Sequence, residues 1–261
     1  MSLVNTEFIK KSILEGIRED GRKLDEYRDI QIEINKIPQA NGSARVKIGN
    51  TEVIAGVKYS VGTPYPDTAN QGMFMVNMEL SPMSSKEFRA GPPSPEAIEI
   101  SRVVDRVIRE SKTVDFEKLC IKEGEAAWML SVDIYPINAE GNLFDAAVIA
   151  ALLAIKNSKF PEYDEKTGKV NHEVRTKNGV KLQNLPAMVT VVKIGDQLVI
   201  DPTNKEEQIM DARLHIATID NGNICAMQKG GVTHLSYDEL KNAIKLASDK
   251  GKDLRKLLKK Y

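Results

Sequence analysis

GPPSPEAIEISRVVDRVIRES, residues 91–111, decides the reading of this chain. Pro92, Pro93 and Pro95 forbid a helix before Glu96, because each lacks an amide donor and restricts the residue ahead of it. Ser94 suits the N-cap. From there Ile100, Val103, Val104, Val107 and Ile108 recur with helical period, so one face belongs to a core. On the opposite face Arg102, Arg106 and Arg109 fall within roughly 60° of one another, with Arg102 and Arg106 about 6 Å apart along the axis. Two guanidinium groups at that spacing can hold successive backbone phosphates through charge-assisted, often bidentate hydrogen bonds. The same stripe also suits a solvated helix face, with Arg102 answered by Asp105 and Glu99, Arg106 by Glu110 and Arg109 by Asp105. Spacing alone favours the solvated face.

Composition narrows the choice without making it. A chain of 261 residues with 41% hydrophobic content can bury one large core or two smaller ones. Lys+Arg 37 balances Asp+Glu 37, so any affinity for nucleic acid must come from a local patch or a partner. Cys120 and Cys225 are far apart, each inside a strand-like run, and read as buried thiols of a reducing compartment. No apolar run reaches membrane-spanning length, and MSLVNTEFIKKSILEGIRED has an amphipathic helical pattern with interspersed charges unlike a secretory leader. Cytoplasmic residence is therefore expected, with no membrane association. His172, His215 and His234 lack metal-ligand spacing and are expected in loops or packing, with no metal site and no cofactor.

Outward from the arginine helix, IQIEINKI, NGSARVKIGNTEVIAGVKYSV and MFMVNMEL read as strands with Asn41-Gly42 and Gly49-Asn50 as turns. LCIKEG and AAWMLSVDIYPINAEGN alternate again. LFDAAVIAALLAIKNS changes to near-continuous alanine and aliphatic residues, the pattern of a buried helix on a sheet. The polar residues 160–184 read as a loop or linker between a first domain, residues 1–159, and a second, residues 185–261. That second half reads LPAMVTVVKI, QLVIDP, ARLHIATID and ICAMQKG as strands, then a long helix from Ser236. The class is α+β with a mixed sheet in each half. The closing basic cluster Lys250, Lys252, Arg255, Lys256, Lys259 and Lys260 reads as a solvated face that also favours the helix dipole.

Several blocks in shared order resemble the RNase PH superfamily, and most closely its non-catalytic branch in archaeal exosomes. They are Arg18-Glu-Asp-Gly-Arg22 with Asp25-Glu-Tyr-Arg28, Gly42-Ser-Ala-Arg45, Gly49-Asn-Thr51, Glu99-Ile-Ser-Arg102-Val-Val-Asp-Arg106, and Asp201-Pro202 before Lys205-Glu-Glu207. The resemblance implies two sheet-and-helix halves, the first similar to a domain of ribosomal protein S5. It also divides relatives into phosphorolytic 3′→5′ exoribonucleases and inactive partners that complete their sites.

This sequence departs from the active pattern at each chemical position. Where active relatives carry paired arginines after a Gly-Pro-Ser element, it has Ser94-Pro95-Glu96. Where they bind phosphate with a hydroxyl residue and an arginine at the start of a buried helix, it has Gly141-Asn142-Leu143-Phe144-Asp145. Gln208 and Arg213 align with the late aspartate pair, and Asp201, Glu206, Glu207 and Asp211 remain nearby as carboxylates that could in principle hold Mg²⁺ or serve as an acid. The resemblance therefore implies a non-catalytic subunit with no catalytic residues of its own. Arg102 and Arg106 would contact the backbone of single-stranded RNA; Arg109 has no such support. The implied partners are a catalytic RNase PH-like subunit, paired as heterodimers with three in a hexameric ring, and RNA-binding cap subunits. An autonomous exoribonuclease using residues 201–211, or an S5-like RNA-binding module without a ring partner, are the alternatives.

Overall fold

The computed structural model describes residues 3–165 and 167–261. Met1 and Ser2, part of the expected amino-terminal helix, lie outside the described residues, as does Lys166 of the polar segment. The first half runs α1 (Leu3–Leu14), β1 (Ile30–Ile34), β2 (Gly42–Ile48), β3 (Thr51–Gly62), β4 (Met73–Met78), α2 (Pro95–Glu110), β5 (Cys120–Lys122), β6 (Ala126–Asn138) and α3 (Leu143–Lys156). Its sheet has the order β1-β2-β3-β6-β4, with β5 also paired to β6. All neighbours are antiparallel except β4 and β6, so this sheet is mixed.

α2 begins one residue earlier than the proline rule alone suggests. Pro95 stands at the first helical position, where a missing N–H costs nothing, and Ser94 Oγ accepts from the Ala97 amide at 3.2 Å. Its inner face buries Ala97, Ile100, Val103, Val104, Val107 and Ile108. α3 is buried on every side from Leu143 to Ile155, because it is packed between β2 and β3 on one side and the second sheet on the other.

The second half contains β7 (Pro161–Asp164), β8 (Lys169–Arg175), β9 (Ala187–Ile194), β10 (Gln197–Ile200), α4 (Asn204–Ile209), β11 (Ala212–Thr218), β12 (Ile224–Gly230) and α5 (Tyr237–Leu258). Its four-stranded sheet, order β10-β9-β11-β12, is antiparallel throughout, which corrects the expectation of a mixed sheet in each half. Short hairpin turns connect β9 to β10 and β11 to β12, so no crossover is needed for a parallel neighbour. One apolar core spans both halves, joining Ile100 and Val104 of α2, Leu152 of α3, Ile216 of β11 and Leu258 of α5. A smaller one seats Ile9 and Ile13 of α1 against Val192, Ile194, Val199 and Ile209.

Three further expectations change. Residues 160–184 do not form a plain loop, since β7 and β8 make a hairpin anchored by aromatic packing. The Tyr163 ring meets Trp128 edge-on at 5.7 Å, and Phe160 lies 4.6 Å from Tyr59 and 5.4 Å from Trp128. The carboxy-terminal cations are not all solvated: Arg255 is buried and donates to Thr218 O and Oγ1 at 2.8 Å each, while Lys252 and Lys256 pair with aspartates three residues earlier. Cys120 and Cys225 are free thiols but only half-buried. Among the described residues no helix is long and apolar enough to cross a membrane.

Candidate functional site

The arginine stripe is where its periodicity put it, on the exposed face of α2 beside the edge strand β4. Arg102, Arg106 and Arg109 line a shallow depression of about 400 Å³ whose far wall is Phe74, Met75 and Val76. The local ion pairs expected for a solvated face mostly do not form. Only Arg109 pairs within the helix, with Asp105 at 2.9 Å, and its guanidinium also lies 5.5 Å and 5.3 Å from the Phe74 and Phe116 ring centroids. Glu99 is taken by Arg213 instead. Arg106 donates to the neutral Oε1 of Gln228 at 3.0 Å, which leaves its charge uncompensated. The Arg102 guanidinium makes no hydrogen bond or ion pair among the described residues.

At the other end of α2 the charge reverses. A cavity of about 360 Å³ between the starts of α2 and α3 is lined by Glu87, Glu96, Glu99 and Glu207, with Arg213 as its cation. Glu207 comes from α4, whose first turn is fixed by a capping box between Thr203 and Glu206. Its Oε1 accepts from the Asn142 backbone N–H at 2.8 Å. The chain's own carboxylate thus occupies the amide at the start of α3, where an external anion would bind. Burial pushes the Glu207 carboxyl up to about 7, with Glu96 adding repulsion and the Asn142 amide opposing it. Glu96 is also raised, by burial and by Glu87 and Glu99.

Leu143 and Phe144 are buried at this helix start. The Phe144 ring stacks on His215 at 3.9 Å and carries the Arg213 guanidinium 5.1 Å from its centroid. Asp145 points inward, accepting from Tyr27 at 2.7 Å, Asn142 Nδ2 at 3.0 Å, and Thr190 N and Oγ1 at 3.1 and 2.7 Å. Burial still pushes it up to about 6. Burial and the nearby Arg213 charge push His215 down to about 3, so its ring is neutral at pH 7.

The four carboxylates considered for acid or metal chemistry do not converge. Asp201 is fully buried and gripped by Arg28, at 2.7 Å to Oδ1 and 2.8 Å to Oδ2, and by Arg22 at 2.9 Å. Burial alone would raise the Asp201 carboxyl, but its bonds to Arg28 and Asn142 hold it below the ordinary range. Glu206 is held bidentate by the buried Arg18 at 2.8 and 2.6 Å. Asp211 accepts from the Gly195 amide at 2.6 Å and faces Lys10 at 3.5 Å. Gln208 is exposed and reaches Glu87 and Asn204 at 3.4 and 3.5 Å. Several charged blocks that carried the resemblance are therefore structural, stapling residues 18–28 to the turn before α4 and to Gly141. At Gly141, φ is +84° and a Cβ would lie 2.5 Å from the Pro202 carbonyl oxygen, so only glycine fits.

Sequence reasoning missed Glu87, Gln228 and the Phe144–His215 stack. Each reaches the site through a tertiary contact with no local spacing to signal it.

The profile of the 3′ exoribonuclease family, domain 1, matches residues 26–161, and that of domain 2 matches residues 184–250. The chain is 45% identical to the exosome complex component Rrp42 of Methanothermobacter thermautotrophicus, over 97% of this chain and 95% of the relative. It is 40% identical to the component of the same name from Pyrococcus furiosus, over 97% and 91%. Among solved structures it superposes on a chain of the Archaeoglobus fulgidus exosome with RNA bound to the active site, with a TM-score of 0.90 and 38% identity over 97% of both chains. A chain of an archaeal exosome core gives a TM-score of 0.86 and 35% identity, over 98% of this chain and 96% of that one. Both domains of the family are thus present in order around the acidic hollow and the arginine face, and the chain belongs to the RNase PH, or 3′ exoribonuclease, family.

Proposed function

We propose that this chain is the non-catalytic RNase PH-like subunit of an archaeal exosome. It pairs with a catalytic RNase PH-like subunit as a heterodimer, three to a hexameric ring beneath RNA-binding cap subunits. It completes the partner's active site and holds the RNA backbone without cleaving it.

The observation that carries the reading is the bond from the Asn142 amide to Glu207 at the start of α3. Phosphorolysis needs inorganic phosphate as nucleophile, and the resemblance puts its pocket at this helix start. Here the amide is occupied by a carboxylate, and Leu143 and Phe144 supply neither hydroxyl nor cation. With its carboxyl pushed up to about 7, Glu207 is partly ionised at neutral pH. When ionised it repels each unit of phosphate charge about 5 Å away by about 3 kcal/mol at an effective dielectric constant of 20, partly offset by Arg213 in the same hollow, so the barrier to phosphate grows as pH rises. The carboxylates of residues 201–211 do not offer a replacement, because Asp201 is paired with Arg28, Glu206 with the buried Arg18, Glu207 with the Asn142 amide and Asp211 with the Gly195 amide and Lys10.

Arg102 and Arg106 act as phosphate clamps on the exposed face. Arg102 has no competing partner to leave, and Arg106 exchanges a neutral amide for a charged oxygen. Such contacts read no sequence, which suits degradation of varied transcripts. The test is the Arg102→Ala, Arg106→Ala double variant in the reconstituted complex. Assembly should survive. RNA binding should weaken by about 1–3 kcal/mol, alike for RNAs of different sequence, and the log–log salt slope should become shallower by about 0.7 for each lost contact. Arg109→Ala, already engaged by Asp105, is the internal control. Unchanged binding and decay in the double variant would refute the assignment.

A further inference from the structure

A second basic surface begins where the arginine face ends. A groove of about 560 Å³ is lined by Lys118, Lys156, Lys159, Lys177 and Lys181, with Asp115 as its one acidic residue. In a chain whose Lys+Arg 37 equals Asp+Glu 37, such a concentration is a local field of one sign. Lys118 is answered by Asp115 at 2.8 Å, and Lys156 donates to the Leu258 carbonyl at 3.3 Å. The ammonium groups of Lys159, Lys177 and Lys181, all exposed, make no hydrogen bond or ion pair among the described residues.

The fold builds this concentration deliberately. The strand-to-strand segment after β8 is sewn to the end of α3: the Phe160 amide donates to Asn178 O at 2.9 Å, and the Thr176 amide to Phe160 O at 2.8 Å. Gly179 makes the approach possible, since a Cβ there would lie 2.1 Å from the Ser158 carbonyl oxygen. That close packing brings Lys177 and Lys181 beside Lys156 and Lys159 despite like-charge repulsion. Uncompensated cations held together in this way favour a polyanion as occupant.

One short segment of chain separates the groove from the stripe on α2. Arg109 lies 5.3 Å from the Phe116 ring centroid, and residues 111–119 lead from the end of α2 directly to Lys118 and Leu119 on the groove wall. At the opposite end of α2 the acidic hollow repels phosphate, so the charge layout gives a polyanion one direction to follow. We propose that this lysine groove is a second RNA-backbone site, which holds nucleotides of a single strand beyond those that reach Arg102 and Arg106. The proposal rests on the RNA-holding function argued above. An acidic protein surface is the competing occupant; the three unpaired ammonium groups, together with Arg109 lying against Phe116 on the segment that leads to the groove, favour RNA over it.

The experiment uses the complex reconstituted with its catalytic partner, carrying Lys159→Ala, Lys177→Ala and Lys181→Ala together. Binding is measured against salt for single-stranded RNAs of about 6 and about 25 nucleotides, lengths that fill one short site or extend well past it. The triple variant should assemble normally and bind the short RNA like the parent. It should bind the long RNA with a salt slope shallower by about 2, at about 0.7 per lost phosphate contact on a single strand. A Lys→Arg triple variant should retain the parental slope. Parental slopes for both lengths, or equal losses for both, would overturn the proposal, as would a failure of ring assembly, which would make the groove a protein interface. The Arg102→Ala, Arg106→Ala complex, run beside it, should weaken both lengths. If the arginine variant weakens RNA binding and the lysine variant does not, the groove proposal fails while the function stands. If the arginine variant has no effect, the RNA-holding part of the proposed function, on which this groove rests, is refuted.

Discussion

Replacing Glu207 by Gln should stabilise the chain in a pH-dependent manner whose sign follows from the acidic hollow. The Glu207 carboxyl is pushed up to about 7 by burial, against 4.5 ordinarily. Between these values the folded chain holds a proton that the unfolded chain has released, so stability falls as pH rises across that window. Each unit of difference corresponds to about 1.4 kcal/mol, which sets an upper limit of about 3 kcal/mol. Because the hollow is open to water at its mouth, screening should reduce the effect to about 1–2 kcal/mol. Glutamine matches the protonated acid in shape, and its Oε1 can still accept from the Asn142 amide, a bond of 2.8 Å in the parent. Urea denaturation of parent and Glu207→Gln should therefore give nearly equal stabilities near pH 4.5. The variant should gain through pH 7 and keep a constant advantage above it. Asp145 and His215 also titrate away from their ordinary ranges, but they are common to both proteins and cancel in the difference. A difference that does not change with pH would mean that Glu207 ionises in the folded chain as it does in the unfolded one, and would refute the desolvation of this carboxyl in the hollow.

Two further outcomes follow from the buried charge network and the open sheet edges. Arg28→Ala strips the bidentate partner from a fully buried Asp201 and should cost about 3–5 kcal/mol in denaturant, with Arg28→Ala, Asp201→Asn losing less than the sum of the single changes; a loss below about 1 kcal/mol would show that Arg22 and Asn142 suffice. The edge strands β4 and β12 expose Met75, Ile224 and Met227, so the chain alone should self-associate or unfold at lower temperature than its complex with the catalytic partner; a well-behaved monomer indifferent to that partner in size-exclusion chromatography would contradict the ring assignment.

Much of the fold was legible because local chemistry and tertiary structure agree. Ser94 and the prolines fix where α2 starts, and alternating residues such as those of β2 fall inward and outward as their pattern requires. The near-continuous apolar run of α3 reads correctly as a buried helix packed on a sheet, and the second sheet covers its other side. What escaped reading depends on distant partners. The hairpin β7–β8 looks too polar to be ordered, and it is anchored by Tyr163 and Phe160 packing against Trp128 of a strand far away in sequence. Arg255 belongs to a run of cations, yet its partner is the carbonyl and hydroxyl of Thr218 in β11. The candidate site divides in the same way. The arginine spacing is a property of one helix, whereas the acidic hollow is assembled from Glu87, Glu96, Glu99 and Glu207 on three separate segments. Charge-pairing rules within a helix also predicted partners for Arg102 and Arg106 that the fold diverts elsewhere, most clearly by giving Glu99 to Arg213.

Whether this chain is a non-catalytic partner is decided by nucleoside diphosphate release from single-stranded RNA in the presence of inorganic phosphate, measured for this chain alone, for its catalytic RNase PH-like partner alone, and for the two combined. No release is expected from this chain, and more from the combination than from the partner by itself. Phosphate-dependent release from the pure chain, abolished by Asp201→Asn in protein that remains folded, would contradict that expectation.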